Sequence, residues 1–252
     1  MNSVEIRGLR IGEGIPKICV PLVSTNVDQL RNDAFEAVKA GADLVEWRMD
    51  WFDGWEDETL VTEALTVIRN ALGEIPLLAT FRTKEEGGQR VVAPEQYYEL
   101  NRTVIQSGKA DLIDLELYFD CYAITELIRD VKETNVKLVL SNHDFGKTPE
   151  KDELVKRLCE MADMGADIAK IAVMPQSSED VAALLMATAE AKKRISCPVI
   201  TMSMGGQGVI SRMAGQIFGS AVTFGALGKA SAPGQIPVEQ LKEVLQLVDS
   251  LQ

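Results

Sequence analysis

Eight short runs rich in β-branched and apolar residues recur along the chain, at residues 17–23, 44–48, 76–82, 112–117, 136–141, 167–173, 198–202 and 221–225. Their starts lie about 29 residues apart, room for a strand, a helix and two loops in each repeat. Between them, apolar positions follow helical spacing at 28–40, 58–72, 94–107, 123–134, 150–164, 178–194 and 238–251. The strand runs are apolar at consecutive positions, as expected when helices cover a parallel sheet. Eight such units in 252 residues, with no composition break or linker, predict an α/β fold of the (β/α)8 TIM barrel type in one domain over residues 1–252. A doubly wound open sheet is the competing architecture. It usually carries a glycine-rich phosphate turn after its first strand, where this chain has Ser24-Thr25-Asn26. Residues 4–14, with turns near Gly8 and at Gly12-Glu13-Gly14, read as a β-hairpin ahead of the first barrel strand, expected to cover the barrel floor.

Charge narrows the partners. With 38 Asp and Glu against 26 Lys and Arg, the net charge of −12 argues against general affinity for nucleic acid or an anionic membrane. Small anionic ligands remain open through local arginines. Cys19, Cys121, Cys159 and Cys197 form no CxxC pair and read as buried free thiols rather than disulfides or a metal site. No apolar stretch reaches the roughly 18 residues of a membrane span, and no signal-peptide core opens the chain, so a cytoplasmic protein is expected.

The most informative residue is Lys170, in the middle of Ile168-Ala169-Lys170-Ile171-Ala172-Val173. Burial disfavours a charged amine, and a neutral lysine amine attacks ketones and aldehydes. Taken alone, the segment is slightly better served by a lysine that snorkels outward or pairs with an internal carboxylate. Other polar residues fall at the same stage of their repeats. Glu46 and Arg48 lie near the end of strand two, Arg82 ends strand three and Glu116 is late in strand four; His143 follows strand five. Arg212 follows strand seven, and Ser231 and Gln235 follow strand eight. In a parallel barrel all of these converge on the C-terminal mouth, where barrel enzymes build their sites.

Each has a plainer account. Glu46 and Arg48, on one face of their strand, could be a structural ion pair. Arg82 could cap a strand end, Glu86 could sit in a solvated loop, and Glu116 could partner an internal cation. Gly205-Gly206-Gln207-Gly208 is weak as a phosphate cradle, and residues 231–235 are most simply a turn. His143 is the only histidine, and the barrel register places it on the strand next to Lys170. An amine nucleophile beside a proton shuttle is the pairing that iminium chemistry requires.

As a set, Glu46-Trp47-Arg48, Thr80-Phe81-Arg82 with Glu86-Gly87-Gly88, Ser141-Asn142-His143-Asp144-Phe145, Ala169-Lys170-Ile171-Ala172-Val173-Met174-Pro175, Ile210-Ser211-Arg212 and Ala230-Ser231-Ala232-Pro233-Gly234-Gln235 strongly resemble type I 3-dehydroquinate dehydratase of the shikimate pathway. The resemblance implies cofactor-free, metal-free dehydration of 3-dehydroquinate to 3-dehydroshikimate through a Lys170 Schiff base. It implies that His143 is the proton shuttle, oriented by Glu86, and that Arg212 holds the substrate carboxylate. Glu46, Arg48 and Arg82 would bind ring hydroxyls, Ser231 and Gln235 would close over the site, and the protein would be a homodimer. Two other readings stand beside it: a lysine-dependent class I aldolase on the same barrel, and a noncatalytic small-acid binding protein.

Overall fold

A computed structural model describes residues 3–228 and 231–251; Ala230, first residue of the last sequence motif, lies outside them. A short antiparallel hairpin, β1 (Val4–Ile6) and β2 (Leu9–Ile11), precedes the alternating units. The barrel strands are β3 (Lys17–Leu22), β4 (Leu44–Arg48), β5 (Leu77–Thr80), β6 (Leu112–Glu116), β7 (Lys137–Asp144), β8 (Ile168–Val173), β9 (Val199–Ser203) and β10 (Val222–Ala226). They pair in parallel from β10 through β3 and onward to β9. The ring closes between β9 and β10 through the Val199–Ser220 bridge, with Ala221 N–H donating to the Val199 carbonyl at 2.8 Å. A two-residue strand, β11 (Ile236–Pro237), pairs in parallel with β10 beyond the last loop.

The connecting helices are α1 (Val27–Lys39), α2 (Glu58–Leu72), α3 (Pro94–Ser107), α4 (Cys121–Lys132), α5 (Lys151–Asp163) and α6 (Ser178–Arg194), with α9 (Val238–Ser250) last. Local chemistry sets their starts: Asn26, Asp57, Asp120 and Ser177 each accept a backbone N–H of the first turn. The seventh unit, where the sequence shows no helical spacing, differs from the others. Instead of one amphipathic helix it carries two short ones, α7 (Val209–Met213) and α8 (Gly215–Phe218), too brief to leave a helical period in the sequence.

Two apolar layers hold the barrel. Outward residues such as Val45, Trp47, Ala79, Leu115, Leu140 and Ile171 pack under the helices. Inward residues at the strand starts, among them Cys19, Leu44, Leu78, Leu112, Val139 and Ile168, fill the lower barrel together with Ile6 and Ile11 of the hairpin. The hairpin therefore plugs the floor, as its position ahead of β3 predicts. Two residues further up β4 to β8 the inward positions become polar: Glu46, Thr80, Asp114, Ser141 and Lys170 are all buried. The period-two alternation thus changes its chemistry, from apolar to charged, between floor and mouth.

The cysteine reading needs correction. All four thiols are free and Cys19 and Cys197 are buried, but Cys121 is exposed and Cys159 half-buried, because both sit on helices rather than barrel strands. Among the described residues, no helix is long and apolar enough to cross a membrane.

Candidate active site

Lys170 stands on β8 opposite Ser141 of β7 and Ile200 of β9, with its side chain 4% exposed. Its Nζ donates to Asp114 Oδ2 at 2.8 Å and to Glu46 Oε1 at 3.4 Å, and lies 5.0 Å from the centre of the Phe224 ring. The ammonium is therefore paired inside the barrel and must release a proton before it can attack a carbonyl.

Arg82 is the second buried cation. Nη2 donates to Asp114 Oδ1 at 2.7 Å, and Nη1 reaches Glu116 at 2.9 Å, Ser141 Oγ at 3.0 Å and Glu86 at 3.4 Å. Glu116 also accepts from the Thr83 hydroxyl and backbone N–H. Asp114 thus bridges Lys170 and Arg82, and Ser141 adds a hydrogen bond to it at 2.6 Å. Burial alone opposes a charged Asp114, but Arg82 and Lys170 outweigh it and hold the carboxyl far below its ordinary range. For Arg82, burial likewise works against the charge, and Asp114, Glu116, Glu86 and Glu46 together overcome it.

His143 lies in β7 itself, which runs three residues beyond the expected end because His143 and Asp144 keep their ladder partners, Ala172 and Val173, on β8. Its Nδ1 is 2.9 Å from Glu86 Oε2, and its backbone N–H donates to the same oxygen at 2.9 Å. Burial pushes Glu86 up to about 8, against the pull of Arg82. Burial also pushes His143 well below its ordinary value, helped by the positive charges of Arg82 and Lys170. Loss of the Glu86 proton leaves a carboxylate facing Nδ1–H of the neutral ring and a free lone pair on Nε2. The loop carrying Glu86 depends on Gly87, whose φ of +86° and position under the Phe145 ring leave no room for a side chain.

Arg48 does not pair with Glu46. It makes a two-point bridge to Asp50, Nε to Oδ1 at 2.8 Å and Nη2 to Oδ2 at 2.9 Å. Glu46 instead accepts from Lys170 and from the Thr80 hydroxyl. Ser231 and Gln235 satisfy one another, amide to hydroxyl and backbone N–H to amide oxygen, both at 2.9 Å. Glu46, Arg48, Arg82, Glu86, His143, Lys170, Ser231 and Gln235 line one cavity, with Met202, Phe145 and Phe224 as apolar walls.

Arg212 stands apart from this lining. It reaches the last loop from α7, Nη2 donating to the Pro233 carbonyl at 3.0 Å, next in sequence to Ala232 of the cavity wall. It is 2% exposed, and its Nε and Nη1 have no partner among the described residues. Burial lowers it to about 10. A buried guanidinium with two unanswered donors and no carboxylate beside it is suited to an anionic ligand. Among the described residues no group of three or more His, Cys, Asp and Glu side chains could hold a metal ion.

Comparison with known proteins decides the family. The family model described as type I 3-dehydroquinase matches residues 18–252. The chain belongs to that family. It is 50% identical to the 3-dehydroquinate dehydratase of Listeria monocytogenes serotype 4a over 98% of both chains, and 50% identical to that of Clostridium novyi over the whole of both. Among solved structures, type I 3-dehydroquinate dehydratase from Clostridium difficile, crystallised with covalent modified comenic acid, superposes with a TM-score of 0.97 at 46% identity over the full length of both chains. The enzyme from Geobacillus kaustophilus gives a TM-score of 0.96 at 40% identity over 99% of both. The protein is thus a type I 3-dehydroquinate dehydratase, a lyase, rather than an aldolase or a noncatalytic binding protein.

For this dehydratase, reading from sequence missed Asp114, the nearest partner of Lys170, as well as Asp50 and Asn142. Asp114 had a usable signal: it lies two residues before Glu116 in Leu112-Ile113-Asp114-Leu115-Glu116, so period two turns both carboxylates inward. Asp50, beyond the end of β4 in a 3-10 turn, carries no such pattern.

Proposed function

We propose that the chain acts as one catalytic domain that dehydrates 3-dehydroquinate to 3-dehydroshikimate by syn elimination through a Lys170 Schiff base, in aromatic amino-acid biosynthesis. The observation that carries this reading is the placement of buried Lys170 and half-buried His143 on neighbouring strands of one cavity. Lys170 adds to the C3 ketone, and loss of water gives the iminium. His143 Nε2 takes a proton from C2, and the electron pair moves to the iminium nitrogen as an enamine. The enamine expels the C1 hydroxyl as water with the proton returned by His143, and hydrolysis frees Lys170 and the enone. The Asp114 carboxylate, already paired with Lys170, is placed to offset the iminium charge. No step calls on a cofactor.

Arg212 holds the substrate carboxylate, for which its two free donors are suited. Glu46 and Arg48 meet the ring hydroxyls. Arg82 contributes mainly by fixing Asp114, Glu116 and Glu86, since both terminal nitrogens already have protein acceptors. Ser231 and Gln235 exchange their mutual hydrogen bonds for substrate when the last loop closes. The covalent modified comenic acid in the Clostridium difficile relative is in keeping with a reactive nucleophile in such a cavity. The family likeness also supports a cytoplasmic homodimer, for which light scattering would give twice the chain mass. The decisive test is borohydride reduction in the presence of 3-dehydroquinate, followed by peptide mass mapping. An adduct on Lys170 is expected; enone formation with an adduct elsewhere, or with none, would overturn the role of that lysine.

A further inference from the structure

Behind Glu86 the structure holds a polar chain that the dehydration scheme leaves unused. Asn142, 7% exposed on β7, donates from Nδ2 to Glu86 Oε1 at 2.9 Å. Its Oδ1 accepts from Arg157 Nη1 at 2.9 Å. Arg157 belongs to α5, outside the barrel; its Nε donates to Glu153 at 2.8 Å and its guanidinium lies 5.6 Å over the Tyr118 ring. An arginine only donates, so the Asn142 amide must turn its oxygen toward α5 and its NH2 toward Glu86. While Arg157 is in place, the amide offers Glu86 Oε1 a donor and no acceptor. A carboxylate accepts that donor more strongly than the neutral acid does, and the amide has no acceptor turned toward Oε1 to stabilise a proton there.

We propose that Arg157, acting through Asn142, is a positioning residue that favours the carboxylate form of Glu86 and thereby the His143 tautomer with its ring proton on Nδ1, leaving Nε2 as the base. The inference rests on the proton-shuttle role of His143 proposed above. Burial works against the charged Glu86, and the Asn142 donor is one of the few contacts opposing it. The other charged groups around the pair are Arg82 at the end of β5, Asp114 and Glu116 on β6, Lys170 on β8 and Arg48 on β4. Arg157 is itself faced by Glu153 and by Tyr118, whose hydroxyl donates to Glu160. Of these contacts, the Asn142 amide alone has its orientation set from the helix layer. Substitutions on α5 therefore change the proton affinity of the catalytic pair without touching the cavity wall.

His143 is the only histidine, so 15N-histidine labelling yields one imidazole and needs no assignment. In the free enzyme its two nitrogens report the tautomer and the pH at which the neighbouring Glu86 ionises, expected near 8, with Nδ1 protonated and Nε2 bare above it. In Arg157→Met that midpoint moves upward by about one pH unit, with about tenfold lower kcat/KM below it, recovery above it and an unchanged KM. Arg157→Lys, which keeps the charge but not the fixed guanidinium, falls between. If Arg157→Met does not fold, Asn142→Leu gives the same direction. A folded variant whose midpoint and tautomer match the parent, with activity lowered equally at every pH, would show a structural role only and overturn the proposal. The nitrogen signals do not depend on turnover. Absence of the Lys170 adduct would therefore sink the Schiff-base reading while leaving this test intact.

Discussion

The barrel mouth has two sides that treat buried cations in opposite ways. Toward β4 to β8, Lys170 and Arg82 are interlocked with Asp114, Glu46 and Glu116, every contact within 3.4 Å. Toward β9 and the last loop, Arg212 is just as buried but, among the described residues, meets one carbonyl and no carboxylate. Charge compensated in advance belongs to a permanent structure that orients a nucleophile. Charge left uncompensated is a cost that folding carries and a ligand's anion can remove.

Substitutions separate the two sides. Lys170→Met should have the largest effect on turnover, a fall of about 10⁶-fold in kcat, the scale of losing a covalent nucleophile, with noncovalent binding retained by calorimetry. Asp114→Asn keeps the shape but strips the shared anion from two buried cations. A loss of about 3 kcal/mol in urea-unfolding stability is expected, together with slow adduct formation. Arg212→Met should behave in the opposite sense. KM rises about 100-fold while stability stays level or increases, because the cation removed has no anion to abandon. Equal destabilisation by the Asp114 and Arg212 variants would erase the distinction between the two sides.

The smallest effect concerns pH. Glu86 is raised to about 8, above the value of an unfolded carboxyl, so its contribution to stability is present at acid pH and lost as pH rises through 8. His143 is lowered, so its contribution is present above its unfolded value and lost as pH falls. Unfolding free energies at pH 5, 7 and 9 should show the decline toward pH 9 in the parent chain and its absence in Glu86→Gln.

Several of these features were legible before any coordinates. The eight strands and the plugging hairpin follow from consecutive apolar runs and glycine turns, and β4 and α6 fall at their expected residues. Glu46, Lys170 and His143 announce themselves as charged or titratable groups within or just after apolar strands. Elsewhere the signal was absent. Asp50 acts from an irregular turn, and Arg157 looks like any helix-surface arginine paired four residues back with Glu153. Arg212 was named as a carboxylate binder from family likeness, but nothing in Ile210-Ser211-Arg212 reveals two donors without partners.

The sequence by itself determined the repeat, the parallel barrel and the end of it at which polar groups gather, because hydrophobic period and strand order are local properties of the chain. Tertiary structure alone decided which charge meets which. Asp114 is matched with Lys170 56 residues away and Asn142 with Glu86 across the same separation, distances along the chain that carry no periodic signal. Electrostatic pairing in a low-dielectric interior depends on ångström separations that only the closed barrel sets.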